Sequence, residues 1–261
     1  MLVIESENGD KHEIALLIKF QTEENIKKMQ QGYIYTNNLK HYIDLEEKEG
    51  KIGIGDRDEG TLLLNDVDCK FRDTATGEDI PIERIFFGEK GEQIKIKVKG
   101  IRIQLDDDIK TPVLCLVGIN KNETKNIDGN LILDFDDKTI SKLREEFGGY
   151  THALVIEPEN FTKRLIEECE KQNIHPNLDF VKYYDPKINQ GERVNDFNTI
   201  KSVFWKNDSF KNQKEFRVAF GNKHIESGQV LMNLGDISDI SIMVDINTLL
   251  SKEFSIKILN K

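Results

Sequence analysis

Apolar residues recur along the chain in patterns that predict several strands. Residues 113–119 are apolar almost without interruption, which is typical of a strand buried on both faces. Between residues 93 and 105 apolar and polar residues alternate, and the phase changes at Gly100, which predicts a tight hairpin or a glycine bulge. Further strands are predicted at residues 33–35, 152–157, 180–184, 216–220, 230–234, 240–245 and 254–259.

Other segments carry the features of helices. Thr22 is a suitable N-cap for a helix over residues 22–31, and Gly32 is suited to close that helix in a left-handed conformation. A short helical pattern follows at residues 39–43. Two longer helices are predicted over residues 137–147 and 160–172.

The order of these elements predicts an α+β fold. Strand, helix and strand follow one another within residues 152–184, an order typical of a βαβ unit. Strands otherwise outnumber helices, so we expect a mixed, mainly antiparallel sheet with a few helices. We expect a single α+β domain over residues 1–261. Two lobes, 1–108 and 109–261, are the alternative, because residues 106–112 are the most linker-like segment.

Composition and charge narrow the possible functions. The chain has 261 residues, 38% of them hydrophobic, which is enough for a substantial core. Its 47 acidic and 37 basic residues give a net charge of −10, which opposes binding to nucleic acids. We expect no membrane contact, because no apolar run approaches the roughly 20 residues that span a bilayer. The lack of a signal-peptide pattern and the three scattered cysteines predict a cytoplasmic location.

The common nucleotide and metal motifs are missing from the sequence. It contains no GxxxxGK[ST] phosphate loop, no GxGxxG turn, no GxSxG and no HExxH. The five histidines are never four residues apart, and the acidic runs at residues 106–108 and 134–137 do not match an EF-hand loop. The sequence therefore predicts no metal site, and it specifies neither a cofactor nor an oligomeric state.

The first candidate site is the glycine-bounded segment 55–60, GDRDEG, for which two interpretations stay open. In the first, Arg57 binds a ligand anion while Asp56 or Glu59 acts as a base or accepts from a hydroxyl group. In the second, the segment is a loop between strands, its glycines follow from turn geometry, and its arginine pairs within the protein.

The second candidate site lies in a strand predicted over residues 213–220. Gln213, Glu215 and Arg217 share one face of this strand, opposite a face that contributes to the core. These side chains offer donors and an acceptor to a ligand. The alternative is a solvated strand face on which Glu215 and Arg217 make ordinary ion pairs.

Three nearby residues extend this second site. Trp205 and Tyr183 are aromatic side chains suited to stacking on a ligand, and Lys206 adds a positive charge. The first site and this extended second site together make up the set of residues that we expect to bind a ligand.

Two resemblances concern the same segments. The pairing of GYIY…GIGDRDEG with KYYDP…NQKEFR resembles an uncharacterised group of bacterial and phage proteins over nearly the whole chain, which implies one fold unit but no mechanism. Gln213-Lys214-Glu215 is similar to the Gln/Glu-x-Glu element of ADP-ribosyltransferase-like folds, although the Ser-Thr-Ser element is not seen here. That similarity implies that Glu215 engages the nicotinamide ribose of NAD, with Arg57 and Tyr33 or Tyr35 as partners.

Three hypotheses follow. The first is a phage- or mobile-element-type protein that binds a small anionic, nucleotide-like ligand and so sequesters or senses a signal in bacteria–phage conflict. The second is an enzyme that consumes NAD or a related nucleotide, with Glu215 as its catalytic carboxylate. The third is an inhibitor that presents its acidic surface to a basic protein partner. In the first hypothesis the ligand contacts come from Arg57, Lys206 and Arg217 as charges, Tyr183 or Trp205 as stacking residues, and Gln213 and Glu215 as hydroxyl partners.

Overall fold

The computed structural model describes residues 2–5, 11–49, 56–66, 71–72, 76, 79–80, 100–225 and 230–257, and it confirms the predicted α+β class. Within these residues the strands are β1 (Leu2–Glu5), β2 (Lys11–Gln21), β3 (Tyr33–Asn38), β4 (Thr61–Asn65), β5 (Phe71–Arg72), β6 (Asp79–Ile80), β7 (Gly100–Gln104), β8 (Pro112–Asn120), β9 (Thr124–Ile127), β10 (Asn130–Leu133), β11 (His152–Ile156), β12 (Pro176–Phe180), β13 (Lys182–Tyr184), β14 (Trp205–Asn207), β15 (Glu215–Phe220), β16 (Val230–Asn233), β17 (Ser241–Asp245) and β18 (Ser255–Lys257). The α-helices are α1 (Glu23–Gln30), α2 (Leu39–Glu49), α3 (Asp106–Lys110), α4 (Asp137–Phe147), α5 (Pro158–Lys171), α6 (Gly191–Asp196) and α7 (Ile246–Leu249). Short 3-10 helices lie at Lys121–Glu123, Ile200–Phe204 and Asp208–Gln213.

Nine of the described strands form the main sheet, in which all pairings are antiparallel. The order along its central path is β12-β15-β8-β2-β11-β17. Three strands join beside this path, with β1 on β2, β3 on β8 and β16 on β3. Strand β8 is at the centre, as its apolar sequence predicts, because it pairs with β15 on one side and with both β2 and β3 on the other.

The main sheet separates two apolar cores, because neighbouring residues of a strand face opposite sides. Leu17 faces the core that packs against α1 and α5, whereas Ile18 faces the core that packs against α4 and α7. Members of the first core include Leu116, Leu154, Phe161, Leu165, Phe216 and Val218. Members of the second include Phe20, Val117, Leu143, Val155 and Leu249.

Helices α1, α4 and α5 agree closely with the sequence predictions, whereas α2 continues beyond the predicted residue 43 to Glu49. The Thr22 side chain caps α1 by accepting from the N–H of Asn25, and Gly32 closes the turn with a φ of +96°. Helix α4 has the predicted bounds. Helix α5 begins at Pro158, two residues earlier than predicted, because the Glu157 side chain accepts from the first free N–H groups and proline suits the first turn.

The predicted βαβ unit is present in a wider form. Strands β11 and β12 run in the same direction and α5 connects them, but β2, β8 and β15 lie between them. The prediction of a single strand over residues 180–184 is wrong. The chain leaves the main sheet after Val181, whose N–H still donates to the carbonyl of Glu215, and β13 instead pairs in parallel with β14 in a small separate sheet.

The segment predicted as a linker, residues 106–112, instead forms α3 and the start of β8. Strands from both sides of residue 108 share the main sheet. Most of the alternating segment 93–105, including its predicted hairpin or bulge, lies outside the described residues. Its described part is β7, which pairs with β4. No helix in the described residues is long and apolar enough to cross a membrane.

Candidate functional site

The main sheet is split on one side of β8. Ile18 of β2 pairs with Val117, and Asn37 of β3 pairs with Val113. The described strands provide no partner on this side for residues 114–116 of β8, because the chain leaves the sheet after β2, passes through α1 and returns along β3. We call this opening, bounded by β2, β3 and residues 114–116, the sheet split.

The sheet split opens into a cleft of about 570 Å³. Helices α1 and α2, strand β3 and the end of α4 form its walls, whereas β8 and β15 form its floor. Aromatic side chains line the walls, namely Tyr33, Tyr35, Tyr42, Phe147 and Tyr150. Charged side chains line the floor, namely Lys19, Glu59, Lys206, Glu215 and Arg217.

Four buried side chains on the floor form an ion cluster, which consists of Glu59, Lys206, Glu215 and Arg217. The Arg217 guanidinium donates to Glu215 Oε1 through Nε, at 2.6 Å, and also donates to Glu59. Lys206 Nζ donates to Glu215 Oε2 at 3.1 Å and to Gln213 Oε1 at 3.0 Å. Two carboxylates thus face two cations, and the cluster is balanced in charge.

The ion cluster keeps Glu215 ionised. Burial raises the pKa of the Glu215 carboxyl, but Arg217 and Lys206 outweigh burial and lower it to about 2. Burial lowers the pKa of Lys206, but Glu215 and Glu59 outweigh burial there and raise it above its ordinary value. The floor therefore presents a fixed carboxylate to the cleft at neutral pH.

Lys19 is a cation on the floor that lies outside the ion cluster. Its Nζ donates to the backbone carbonyl of Cys115 at 2.8 Å, and within the described residues no carboxylate lies within 4.0 Å of it. Burial lowers the pKa of this amine, and Glu215 opposes that effect only in part.

A thiol, that of Cys115, also lines the floor of the cleft. Burial, together with the nearby Glu215, raises the pKa of its thiol to about 12. A thiol with this pKa stays protonated at neutral pH, whereas the thiolate is the reactive form.

The cleft brings together seven of the residues singled out from the sequence: Tyr33, Tyr35, Glu59, Lys206, Gln213, Glu215 and Arg217. The solvated-face alternative is wrong, because Glu215 and Arg217 are only 4% and 1% exposed. The strand begins at Glu215 and not at Gln213. A left-handed residue, Lys214 with a φ of +47°, separates the two.

The expected stacking residues and anion clamp lie outside the cleft. Trp205 is buried and its Nε1 donates to Asp196 Oδ2 at 2.9 Å, so its ring is not open to a ligand. The Tyr183 hydroxyl accepts from the N–H of Glu215 at 3.0 Å. The side chain of Arg57 is exposed beside Asp58, with 3.8 Å between Nε and Oδ2. None of these three side chains lines the cleft.

Asp56 also lies outside the cleft, in the turn that leads to β4. It is 2% exposed, and its Oδ1 accepts from the N–H of Asp58 at 2.9 Å. Its Oδ2 is buried without a hydrogen-bond partner in the described part of the chain. Burial, and next the charge of Glu59, raises the pKa of Asp56 to about 6.

Several residues of the cleft were not predicted from the sequence. Lys19 and Cys115 interrupt two apolar strands, and a polar residue at such a position is the signal that points to them. Tyr42, Phe147 and Tyr150 carry no comparable signal, because aromatic residues at these positions are equally typical of a core.

Within the described residues, no three or more His, Cys, Asp or Glu side chains are grouped so as to hold a metal ion.

Comparisons with protein families, curated proteins and solved structures found no match to this chain.

Proposed function

We propose that the cleft binds a small anionic, nucleotide-like ligand. The observation that carries the proposal is the combination of tyrosine-lined walls with a floor that holds Lys19 outside the charge-balanced ion cluster. The volume of about 570 Å³ falls within the range of roughly 300–1,000 Å³ common for small-molecule sites.

The polar groups of the cleft match the parts of a nucleotide. Tyr33 and Tyr35 lie on the same face of β3 and offer flat surfaces to a base. Lys19 compensates a negative charge. Glu215 and Glu146 line the same cleft, and their carboxylates accept hydrogen bonds from hydroxyl groups such as those of a ribose.

In this proposal the protein is cytoplasmic and sequesters or senses a nucleotide signal. The support for the biological setting is the resemblance to bacterial and phage proteins noted above. The support for binding is the cleft itself.

Thermal unfolding in the presence of NAD, ADP-ribose, cyclic dinucleotides and mononucleotides tests the proposal. A ligand at a hundred times its Kd stabilises the folded state by about 2.7 kcal/mol, so we expect at least one compound to raise Tm. The shift should shrink in Lys19→Met. It should persist in Lys171→Met, which removes an exposed lysine of α5. If no compound raises Tm, the proposal is wrong.

A second candidate function is the breakdown of NAD or a related nucleotide. One observation favours it: the ionised Glu215 lines the same cleft as Tyr33 and Tyr35, the combination that the similarity to ADP-ribosyltransferase-like folds implies. The third implied partner, Arg57, lies outside the cleft.

Mass analysis of the same mixtures separates the two functions. If the protein is an enzyme, the wild type consumes the nucleotide, and Glu215→Gln slows consumption by at least a hundredfold while the nucleotide still raises Tm. If a compound raises the Tm of the wild type and mass analysis finds every compound intact, the protein binds without turnover.

A further inference from the structure

The hydrogen-bond pattern of β8 directs one backbone group into the cleft. The N–H of Gly118 donates to the carbonyl of Lys214 at 3.0 Å, so Gly118 bonds toward β15. In an antiparallel ladder successive residues bond to opposite sides. Leu116 and Leu114 therefore bond toward β15, whereas Cys115 points its N–H and C=O toward β2 and β3.

The contact from Lys19 agrees with this direction. Its Nζ reaches the Cys115 carbonyl at 2.8 Å from the side of β2. The neighbouring positions on this side, Val117 and Val113, pair with strands, but Cys115 faces the sheet split. If the pairing of β2 with β8 continued for two more residues, Phe20 would lie opposite Cys115, and the pairing of β3 with β8 would likewise place Tyr35 there. Both strands have instead diverged from β8 at these positions.

The ammonium group of Lys19 and the N–H of Cys115 together form a pair of hydrogen-bond donors. An ammonium group has three donors, and Lys19 uses one of them on the Cys115 carbonyl. The N–H and C=O of one strand residue point the same way, so the remaining donors of Lys19 lie beside the Cys115 N–H. An oxygen atom placed in the sheet split can accept from both.

We propose that an anionic oxygen of the ligand, from a phosphate or a carboxylate, binds in the sheet split to the Cys115 N–H and to Lys19 Nζ. This assignment rests on the proposed function and places the ligand's charged group at one end of the cleft. An anion there supplies the negative partner that Lys19 lacks among the described residues. Hydrogen bonds to charged groups are the stronger ones, especially away from bulk water.

Amide NMR of protein labelled with ¹⁵N-cysteine tests the assignment. The chain has three cysteines, so the spectrum contains few signals, and the one lost in Cys115→Ser is that of Cys115. Cys169, buried in α5, is the internal control. The probes are inorganic phosphate, AMP, NAD and adenosine.

We expect AMP or NAD to move the Cys115 amide signal and to slow its hydrogen exchange at least tenfold, without effect on Cys169. Adenosine has no anionic oxygen and should leave the Cys115 amide unchanged. Inorganic phosphate identifies the source of the effect, because a shift with phosphate alone shows that the split accepts a free anion. A shift that requires AMP or NAD shows that the rest of the nucleotide is needed.

Lys19 variants supply a second measurement. Lys19→Met should weaken binding of AMP roughly ten- to hundredfold, the equivalent of one charge-assisted hydrogen bond, while binding of adenosine changes little. A loss of structure alone would weaken the binding of AMP and of adenosine equally. Lys19→Arg keeps the charge and should recover part of the AMP affinity.

The outcomes separate this inference from the proposed function. If AMP or NAD raises Tm but leaves the Cys115 amide unchanged, the anion binds elsewhere and only this inference is wrong. If no compound of the thermal-unfolding panel raises Tm and none of the NMR probes binds, both are wrong.

Discussion

Asp56 shows how a single buried carboxyl affects stability. Its pKa rises from 3.8 to about 6 in the folded protein. The folded state therefore holds this proton more tightly than the unfolded chain does. As a result, the free energy of unfolding decreases as pH rises from about 4 to about 6 and stays lower above that range.

We predict that Asp56→Asn stabilises the protein at neutral pH. Asparagine cannot ionise, and its side-chain oxygen still accepts from the N–H of Asp58. At pH 7.5 the gain should reach up to about 3 kcal/mol, from a rise of about two pKa units. Urea unfolding at pH 3.5 and 7.5 measures it. A difference that is the same at both pH values contradicts the prediction.

The sequence identified the alternating polar residues of the floor but not their burial. Glu215 and Arg217 stand two residues apart on one strand face, and this pattern suits both a solvated face and a covered one. The covered face is evident only from contacts such as that of Arg217 with Glu59, which lies 158 residues away along the chain. Lys19 was missed for a similar reason, since its role depends on where β2 leaves β8.

The connection between α1 and β3 shapes one wall of the cleft. Gly32 sits in this connection with a φ of +96°, and a Cβ atom there would lie 2.0 Å from the carbonyl oxygen of Gly235. Gly129, between β9 and β10, also has a positive φ, +78°, but a Cβ atom there would meet nothing within 4 Å.

We predict that Gly32→Ala destabilises the protein more than Gly129→Ala. Both variants force alanine into a left-handed conformation, at roughly 1 kcal/mol. Only the first also pushes the backbone of Gly235 away. Thermal unfolding of both variants measures the difference, and Gly32→Ala should further reduce any Tm shift caused by a nucleotide. Equal losses of stability would show that the close approach to Gly235 is unimportant.

Helices were easier to predict than the order of strands. The ends of α1 and α4 follow from caps and glycines that are neighbours in sequence. The order of the main sheet depends on pairings such as that of β8 with β15, about a hundred residues apart, for which a single sequence gives no signal. The end of β12 is of the same kind, because the next strand, β13, leaves the main sheet to pair with β14, which is not its neighbour along the chain.

Across the molecule, the ion cluster connects distant segments of the chain. Glu59 comes from the turn before β4, Lys206 from β14, and Glu215 and Arg217 from β15. Arg217 also donates to the carbonyl of Val203. The floor of the cleft is thus held by one guanidinium group that contacts three parts of the fold.

We predict that Arg217→Met destabilises the protein by about 3–5 kcal/mol, because Glu59 and Glu215 lose a buried partner. Arg164→Met is the matched control. Arg164 makes a two-pronged pair with Asp239 near the surface, and its loss should cost about 1 kcal/mol or less. Urea unfolding at pH 7 compares the two variants, and similar losses would mean that the ion cluster contributes little.

The arrangement of the main sheet has a consequence for how the chain folds. Its adjacent central strands β2, β8 and β15 are each separated by about a hundred residues. Contacts of such long sequence separation slow folding, because a large loop must close before these central strands can pair. During synthesis, the centre of the sheet must wait until residue 220 has left the ribosome. Until then the apolar β8 lacks β15, and this is the stage at which the nascent chain is most exposed to aggregation.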